Sequence, residues 1–590
     1  MFNLSPASVI AVSLLVTSAW SAKSDCKCTP HDPCWPSTSD FARLNESVSG
    51  RLIATTPPAS VCYPTQHDYD PAQCEGILAR WFDAAFHTQD PTSVCSPVWA
   101  GNPCPPIYPN GTSVTGDPDA GAKGCNVGGY PAYAVNATEP SHAQEAVKFA
   151  AKHNIRLNVK STGHSFQGRS TAFGSLSVYT HNFRGIQFHE QFQPACCSQQ
   201  EPQMAATIRA GETIRAIYTE LSKHNAVVVG GSAQTVGIMG WFTGGGHGPL
   251  SSEFGMGVDN VLQVTMVTPQ GDLVTANACQ HPDLFWAIRG GGGGTFGIVL
   301  EVVMRAHPSP RIAAHSLSAQ FTSPSEAENW RMVAKLHSEM PRLKEGGMQG
   351  YYYVLPPSIA GALTIMWGFV LCNKPNGTAE SLFEPIARLF DENPGTVRYA
   401  SEISHYPDFF NYWNSTIGFE AVAQSATMGS RLLPAQALTD VDRLSDAFQR
   451  ATAPSDAQIP VIIIGHMIAN SDNAGLDVPL HPGWRRAVTH LILVEPYRDY
   501  IDAAAKEEVY GRMTYERVPI LEALAPGSGA YFNEADPFDP QFQETFWADN
   551  YSRLKSIKDK YDPDSVLWCI SCVGSEDWVI GDGGRLCPAT

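Results

Sequence analysis

The segment NVKSTGHSFQGRS, Asn158 to Ser170, sets His164 among small residues directly after the strand-like run IRLNVK. A neutral imidazole is a good nucleophile, so His164 could anchor an electron-poor ring permanently. It could equally be a hydrogen-bonded loop residue. A second dense stretch, Gly230 to Gly248, ends in GWFTGGGHG and carries His247. Glycine admits positive φ and lets a backbone N–H come close to a ligand, as a pyrophosphate requires. Together the loops 161–165 and 240–248 point to a cradle for a flavin dinucleotide, although tight turns alone would also use glycine. A third cluster, Gly292-x-Gly294-x-x-Gly297, has the letters of a dinucleotide fingerprint. A helical segment precedes it and a strand follows, the reverse of the required order. Cys569-x-x-Cys572 is a lone pair without the second half of a zinc site, so ordinary disulfide partners are expected and no metal site is.

These loops need elements to hold them. AYAVNA reads as a strand, Ser141-x-x-Gln144 as a capping box, and Ala143, Ala146, Val147, Ala150 and Ala151 as one helix face. IRLNVK then delivers the chain into Ser161. A second unit runs from the strand AATIRA through a helix marked by Ile214, Ile217, Tyr218 and Leu221 to the strand AVVVGG. NVLQVTMVTPQGDLVTA reads as a hairpin turned at Pro269-Gln270-Gly271. Beyond Pro308 the texture changes. Strand-like runs GYYYVLP, ALTIMWGFV, PVIIIGHMI and THLILVEPY alternate there with helical segments such as SEAENWRMVAKLHSEM.

At 590 residues the chain exceeds what one core serves. The formal net charge of -18 argues against nucleic-acid or anionic-membrane partners. Residues 1–22 read as a secretory signal, with an apolar run from Val9 to Val16 and a small-residue cut site near Ser21 or Ala22; a buried strand is the alternative. Six N-x-S/T sequons, at Asn45, Asn110, Asn136, Asn376, Asn414 and Asn550, agree with export. Seven of the 15 cysteines fall between Cys26 and Cys104, a density that suggests disulfides, and the odd total leaves at least one thiol over.

Taken in order, VKSTGHSFQGRS, TVGIMGWFTGGGHGPLSSEFGMGVDNVLQVTMVTPQGDLV, DLFWAIRGGGGGTFGIV and AYFNEADPFDPQFQETFWADNYSRLKSIKDKYDPDSVLWC give the chain a family likeness. It resembles the FAD-linked oxidases of the vanillyl-alcohol-oxidase superfamily, in the berberine-bridge-enzyme-like branch. Secreted fungal members of the isoamyl alcohol oxidase type are the nearest likeness. The resemblance implies an α+β fold: a two-subdomain FAD-binding domain of the PCMH type, plus a substrate domain with an antiparallel sheet covered by helices. The implied boundaries are a Cys/Pro-rich part at 23–120, the FAD-binding core at 121–308, a substrate domain at 309–542, and a segment at 543–590 returning to the FAD domain.

By the same resemblance His164 matches the histidine that is bound covalently to the flavin 8α-methyl. Ser161, Thr162, Gly163, Ser165 and Gly168 match the pyrophosphate loop. Gly240, Gly244, Ile298 and Asn533 match further FAD-contacting positions, and Val236 a position governing oxygen access. Many relatives carry a second tether, a cysteine in Gly-x-Cys-Pro-Thr-Val-Gly. The run here is Gly231-Ser232-Ala233-Gln234-Thr235-Val236-Gly237, and Ala233 cannot form a thioether. A single covalent link is therefore expected. The implied reaction takes a hydride from an alcohol or similar small hydroxylated compound, with oxygen reduced to hydrogen peroxide. The candidate bases are His247, where many relatives have tyrosine, Glu534 in YFNEAD, and Asp472 in a loop that departs from the family pattern. A bond-forming tailoring oxidase of secondary metabolism, and a flavin- or sugar-binding protein without turnover, are the alternatives.

Overall fold

The computed structural model describes residues 26–418, 420–454 and 460–589; the expected signal segment lies outside the described residues. Three sheets hold the site. The first has four strands in the order Leu52–Ala54, Tyr133–Asn136, Leu176–Tyr179, Leu157–Lys160, and the last three run parallel. Parallel pairing needs a crossover, and the helix Pro140–Lys152 supplies it, burying Ala143, Ala146, Val147 and Ala150. Two details of that helix differ from expectation. Its N-cap is Glu139 without a side-chain cap, and Pro140 occupies the first turn, where its missing N–H costs nothing. Gln144 accordingly does not close a capping box; its amide donates to Gly271 O at 2.8 Å, and Ala151 faces solvent.

The second sheet has six strands, with Ile298–Pro308 at its centre, flanked by Gln203–Arg209 and Val261–Val267. Val261–Val267 and Leu273–Asn277 form the expected hairpin, turned where Gly271 takes φ +86° and donates to Thr268 O. Ile214, Ile217, Tyr218 and Leu221 are buried against this sheet.

The third sheet is antiparallel throughout and has seven strands. Its order is Val397–Tyr406, Ile312–Phe321, Leu363–Cys372, Gln349–Leu355, Ile462–Met467, Ala487–Pro496, Ala426–Pro434. Strand side chains alternate between faces, and the alternation is functional here. Tyr352, Val354, Ile463, Leu491 and Leu493 pack on the helices Glu326–Glu345 and Val441–Ala451. Their neighbours Tyr351, Tyr353, Ile464, His466 and Ile492 face a cavity instead.

The tail returns to the first two sheets. Trp547 Nε1 donates to Gly290 O at 2.9 Å, and buried Lys558 reaches Thr295 O, Leu567 O and Asp562. Cys26–Cys587 joins the ends of the described chain, and five further disulfides include Cys569–Cys572. Cys95, Cys196 and Cys372 stay free. Asn110, Asn376 and Asn414 are exposed sequons; Asn550 is half-buried, with its amide on Leu480 O. Among the described residues no helix is long and apolar enough to cross a membrane.

Candidate active site

One cavity of about 860 Å³ runs between the glycine loops and the third sheet. On the loop side, the strand Leu157–Lys160 ends and the chain turns through Gly163 at φ +85°. Ser161 Oγ donates to Ala210 O at 2.7 Å, and Thr162 Oγ1 accepts from Gly237 N at 3.1 Å, which locks the two loops together. A Cβ at Gly237 would lie 2.8 Å from Ser161 Oγ, so the contact requires glycine. His164 Nε2 lies 2.7 Å from Thr235 Oγ1, and burial pushes the imidazole down to about 4, keeping it neutral. Ser165 Oγ accepts from the N–H groups of Gln167 and Arg169.

On the sheet side, register builds a row. Tyr351 pairs with His466 and His466 with His490 across three adjacent antiparallel strands. Directly opposed residues share a face about 5 Å apart. The row meets two residues from elsewhere in the chain: His247 after Gly246, and Glu534 from the returning tail. That tail already contacts the glycine loops through Tyr531 and Asn533, ahead of the expected start at 543. His247 Nε2 lies 3.0 Å from Glu534 Oε2, and its Nδ1 lies 3.3 Å from Tyr351 Oη. His466 Nδ1 and His490 Nδ1 approach Glu534 Oε2 at 3.5 and 3.8 Å.

Burial alone would raise the Glu534 carboxyl; the His247 contact, with His466 assisting, outweighs it and holds the group below the usual glutamate value. Burial pushes both His466 and His490 well below the ordinary histidine range. Burial, and then the Glu534 charge, push the Tyr351 hydroxyl well above the ordinary tyrosine range. The tautomers follow. An ionised carboxylate only accepts, so His247 donates from Nε2; in the neutral ring the lone pair is then on Nδ1, facing Tyr351.

Of the residues expected at the site, Ser161, Thr162, Gly163, His164, Ser165, Val236, Gly240, His247, Asn533 and Glu534 all line this cavity. Three of the expected cofactor-contacting residues do not line the cavity. Gly168, at φ +71°, serves close packing, since a Cβ there would lie 2.6 Å from the Trp99 ring. Gly244 makes room for the Asn533 amide in the same way, at 2.5 Å. Ile298 is buried in a core cluster, and its neighbours Gly297 and Val299 reach the cavity instead. Asp472 stands exposed on a turn outside the cavity and does not join His247 and Glu534.

Sequence reasoning missed His466, His490, Tyr351 and Glu420. The first two are polar interruptions in runs of Ile, Leu and Val, a signal that was available. Glu420 lines the cavity as well, and burial, with Glu534 adding, pushes its carboxyl up to about 7. A lone acid in a loop leaves no such mark.

Residues 131–277 match the family model of an FAD binding domain, and residues 530–570 that of berberine and berberine-like proteins. The FAD-linked oxidoreductase patO of Penicillium expansum is 33% identical over 588 residues, covering 99% of this chain and 98% of patO. The chain belongs to the FAD-linked oxidoreductases of the vanillyl-alcohol-oxidase superfamily, berberine-bridge-like branch. The VAO-type flavoprotein oxidase VAO615 of Thermothelomyces thermophilus is 32% identical over 96% of this chain and 95% of its own. The crystal structure of the VAO-type flavoprotein MtVAO713 from Myceliophthora thermophila superposes with a TM-score of 0.88 at 30% identity, covering 96% of this chain and all of that one. A glucooligosaccharide oxidase from Acremonium strictum, with a 6-S-cysteinyl, 8α-N1-histidyl FAD, shares the fold at a TM-score of 0.60 and 19% identity, over 75% of this chain and 91% of its own.

The residues present fit the family's cofactor. A Cβ on Gly240 or Gly294 would meet nothing within 4 Å, so both line open space with bare backbone, which suits a dinucleotide cradle. Arg169, also lining the cavity, has a buried Nε with no partner among the described residues. Its other nitrogens hold Asn533 Oδ1 at 2.8 Å and Phe532 O at 2.7 Å, clamping the tail to the loop. The third glycine cluster thus contributes to the cavity without being a Rossmann fingerprint.

Proposed function

We propose that this oxidoreductase is an exported oxidase that takes a hydride from an alcohol or similar small hydroxylated compound, with FAD held covalently by His164 alone. The observation that carries it is the His247–Glu534 pair, 3.0 Å apart, in the same cavity as the 161–165 loop. When bound, FAD supplies the two-electron acceptor, and dioxygen then takes the electrons away as hydrogen peroxide.

The chain's own residues handle the proton. His247 takes the substrate hydroxyl proton at Nδ1, and the Glu534 carboxylate balances the imidazolium, the division of labour of a hydrogen-bonded acid–base pair. Tyr351 keeps its proton and donates to the same nitrogen in the resting state, and the substrate hydroxyl takes its place at that lone pair. At His164, Nε2 is engaged by Thr235 Oγ1 at 2.7 Å, which leaves Nδ1 as the nitrogen to bond. Ala233 leaves His164 without a second anchor. The disulfides support export, because oxidising compartments favour them; the site's buried polar groups suit a small ligand that brings a hydroxyl.

The test is a visible spectrum of purified protein before and after acid precipitation, with a His164→Ala variant alongside. Yellow colour should stay in the wild-type pellet and pass to the supernatant in the variant; release from both would overturn the covalent link. Peroxide release across a panel of primary and secondary alcohols tests the substrate class, and silence across the panel would overturn it.

A further inference from the structure

We propose that His247, His466 and Glu534 form a binding site for a divalent first-row transition-metal ion, Zn²⁺ being the best match, and that its occupancy arrests turnover. The arrest rests on the reading of His247 as the base; the binding does not.

The argument starts from spacing. The three donor atoms all lie within 4.8 Å of one another, with 3.0 Å from His247 Nε2 to Glu534 Oε2 and 3.5 Å from His466 Nδ1 to the same oxygen. Tetrahedral zinc with bonds of roughly 2.0–2.1 Å places neighbouring ligand atoms ~3.3 Å apart. Two imidazoles and one carboxylate are a donor set that zinc takes, and three protein ligands leave a fourth position open to the cavity. The set is held in place before any ion arrives. His466 is fixed by strand register, and Glu534 by the tail that Asn533 ties to Gly240 O at 3.2 Å. His490 stands behind, its Nδ1 3.4 Å from His466 Nδ1 and 3.8 Å from Glu534 Oε2, where it can orient both ligands as a supporting partner. It is fully buried, and its Nε2 has no hydrogen-bond partner among the described residues.

Turnover and metal binding then compete through one tautomer. To act as base, His247 keeps its proton on Nε2 and its lone pair on Nδ1. To bind an ion at Nε2, the neutral ring moves its proton to Nδ1, where Tyr351 Oη accepts it. No proton is gained or lost by the ring, but the lone pair that receives the substrate proton is gone.

The experiment uses the FAD-loaded enzyme, dialysed against EDTA and titrated with ZnCl₂ by calorimetry and by competition with a zinc indicator. One ion per chain is expected, with affinity falling in His466→Gln and in Glu534→Gln by more than the ~10–100-fold that loss of a mere supporting partner costs. Thermal melts and the flavin spectrum establish that the variants fold. Co²⁺ in the wild-type enzyme gives a variant-free check, since tetrahedral coordination shows visible bands beyond the flavin absorption. Activity should fall in step with occupancy and return with EDTA. Binding that neither substitution weakens, or no stoichiometric binding, overturns the site; stoichiometric zinc with full turnover overturns the arrest. Metal-free His247→Ala turning over normally would defeat the base reading while leaving the binding data to judge the site.

Discussion

Between Glu534 and Tyr351, the neutral form of the His247 ring has one nitrogen that donates and one that accepts, and both partners hold their protonation through burial and charge. Removing the ring removes the acceptor. His247→Ala should lower kcat by about 10²–10⁴-fold, the usual contribution of a general base, with flavin still bound. Steady-state peroxide assays check this, and intact turnover would strike His247 from the role. Glu534→Gln keeps an oxygen for the Nε2–H but loses the charge that balances an imidazolium. It should therefore lower kcat with little change in KM, a loss confined to the transition state. Both residues were candidates from their motif positions, but their contact was not legible, because they lie 287 residues apart in sequence.

At the scale of elements, the third sheet decides which polar residues meet. Its register lines up Tyr351, His466 and His490, and a one-residue slip in any strand would turn each onto the helix-packed face. The opposite face carries its own buried histidine. On the helix Glu326–Glu345, His337 donates from Nδ1 to Val333 O at 2.8 Å and accepts at Nε2 from Tyr352 Oη at 3.1 Å. Burial pushes His337 down to about 4, against the ordinary value of 6.5. Between those values the unfolded chain binds the proton and the folded one does not. The contribution to stability is therefore complete above about pH 6.5 and is lost as pH falls towards 4. His87 and His481, pushed to about 4 in the same way, add to it. Thermal midpoints should fall across that window, with a shallower fall in His337→Gln than in wild type. A flat profile in wild type would contradict neutral burial. Four of the seven strands, Gln349–Leu355, Leu363–Cys372, Ile462–Met467 and Ala487–Pro496, were legible from their apolar runs, whereas Ile312–Phe321, Ala426–Pro434 and the edge strand Val397–Tyr406 were not. In the edge strand six of ten residues sit in solvent, so no apolar face marks it.

For the whole molecule, the returning tail is what closes the site. Glu534 and Asn533 arrive on it, and Cys26–Cys587 then joins its end to the start of the described chain, 561 residues away in sequence. Long loops lose the most unfolded-state entropy when closed, although measured gains are typically only about 2–4 kcal/mol. Cys26→Ser with Cys587→Ser should lower thermal stability by an amount of that order in non-reducing buffer, and an unchanged melting midpoint would show the link to be redundant. The glycine loops, the place of His164 between two glycines and the missing thiol at residue 233 were all determined by sequence alone. Each is encoded within a few consecutive residues, where backbone freedom and side-chain type act locally. Only the tertiary structure decided that His247 pairs with Glu534, that Asp472 stays outside, and that His466 and His490 stand beside them. Those contacts depend on strand register and on the path of the tail, and both are settled by packing distant segments against a shared core.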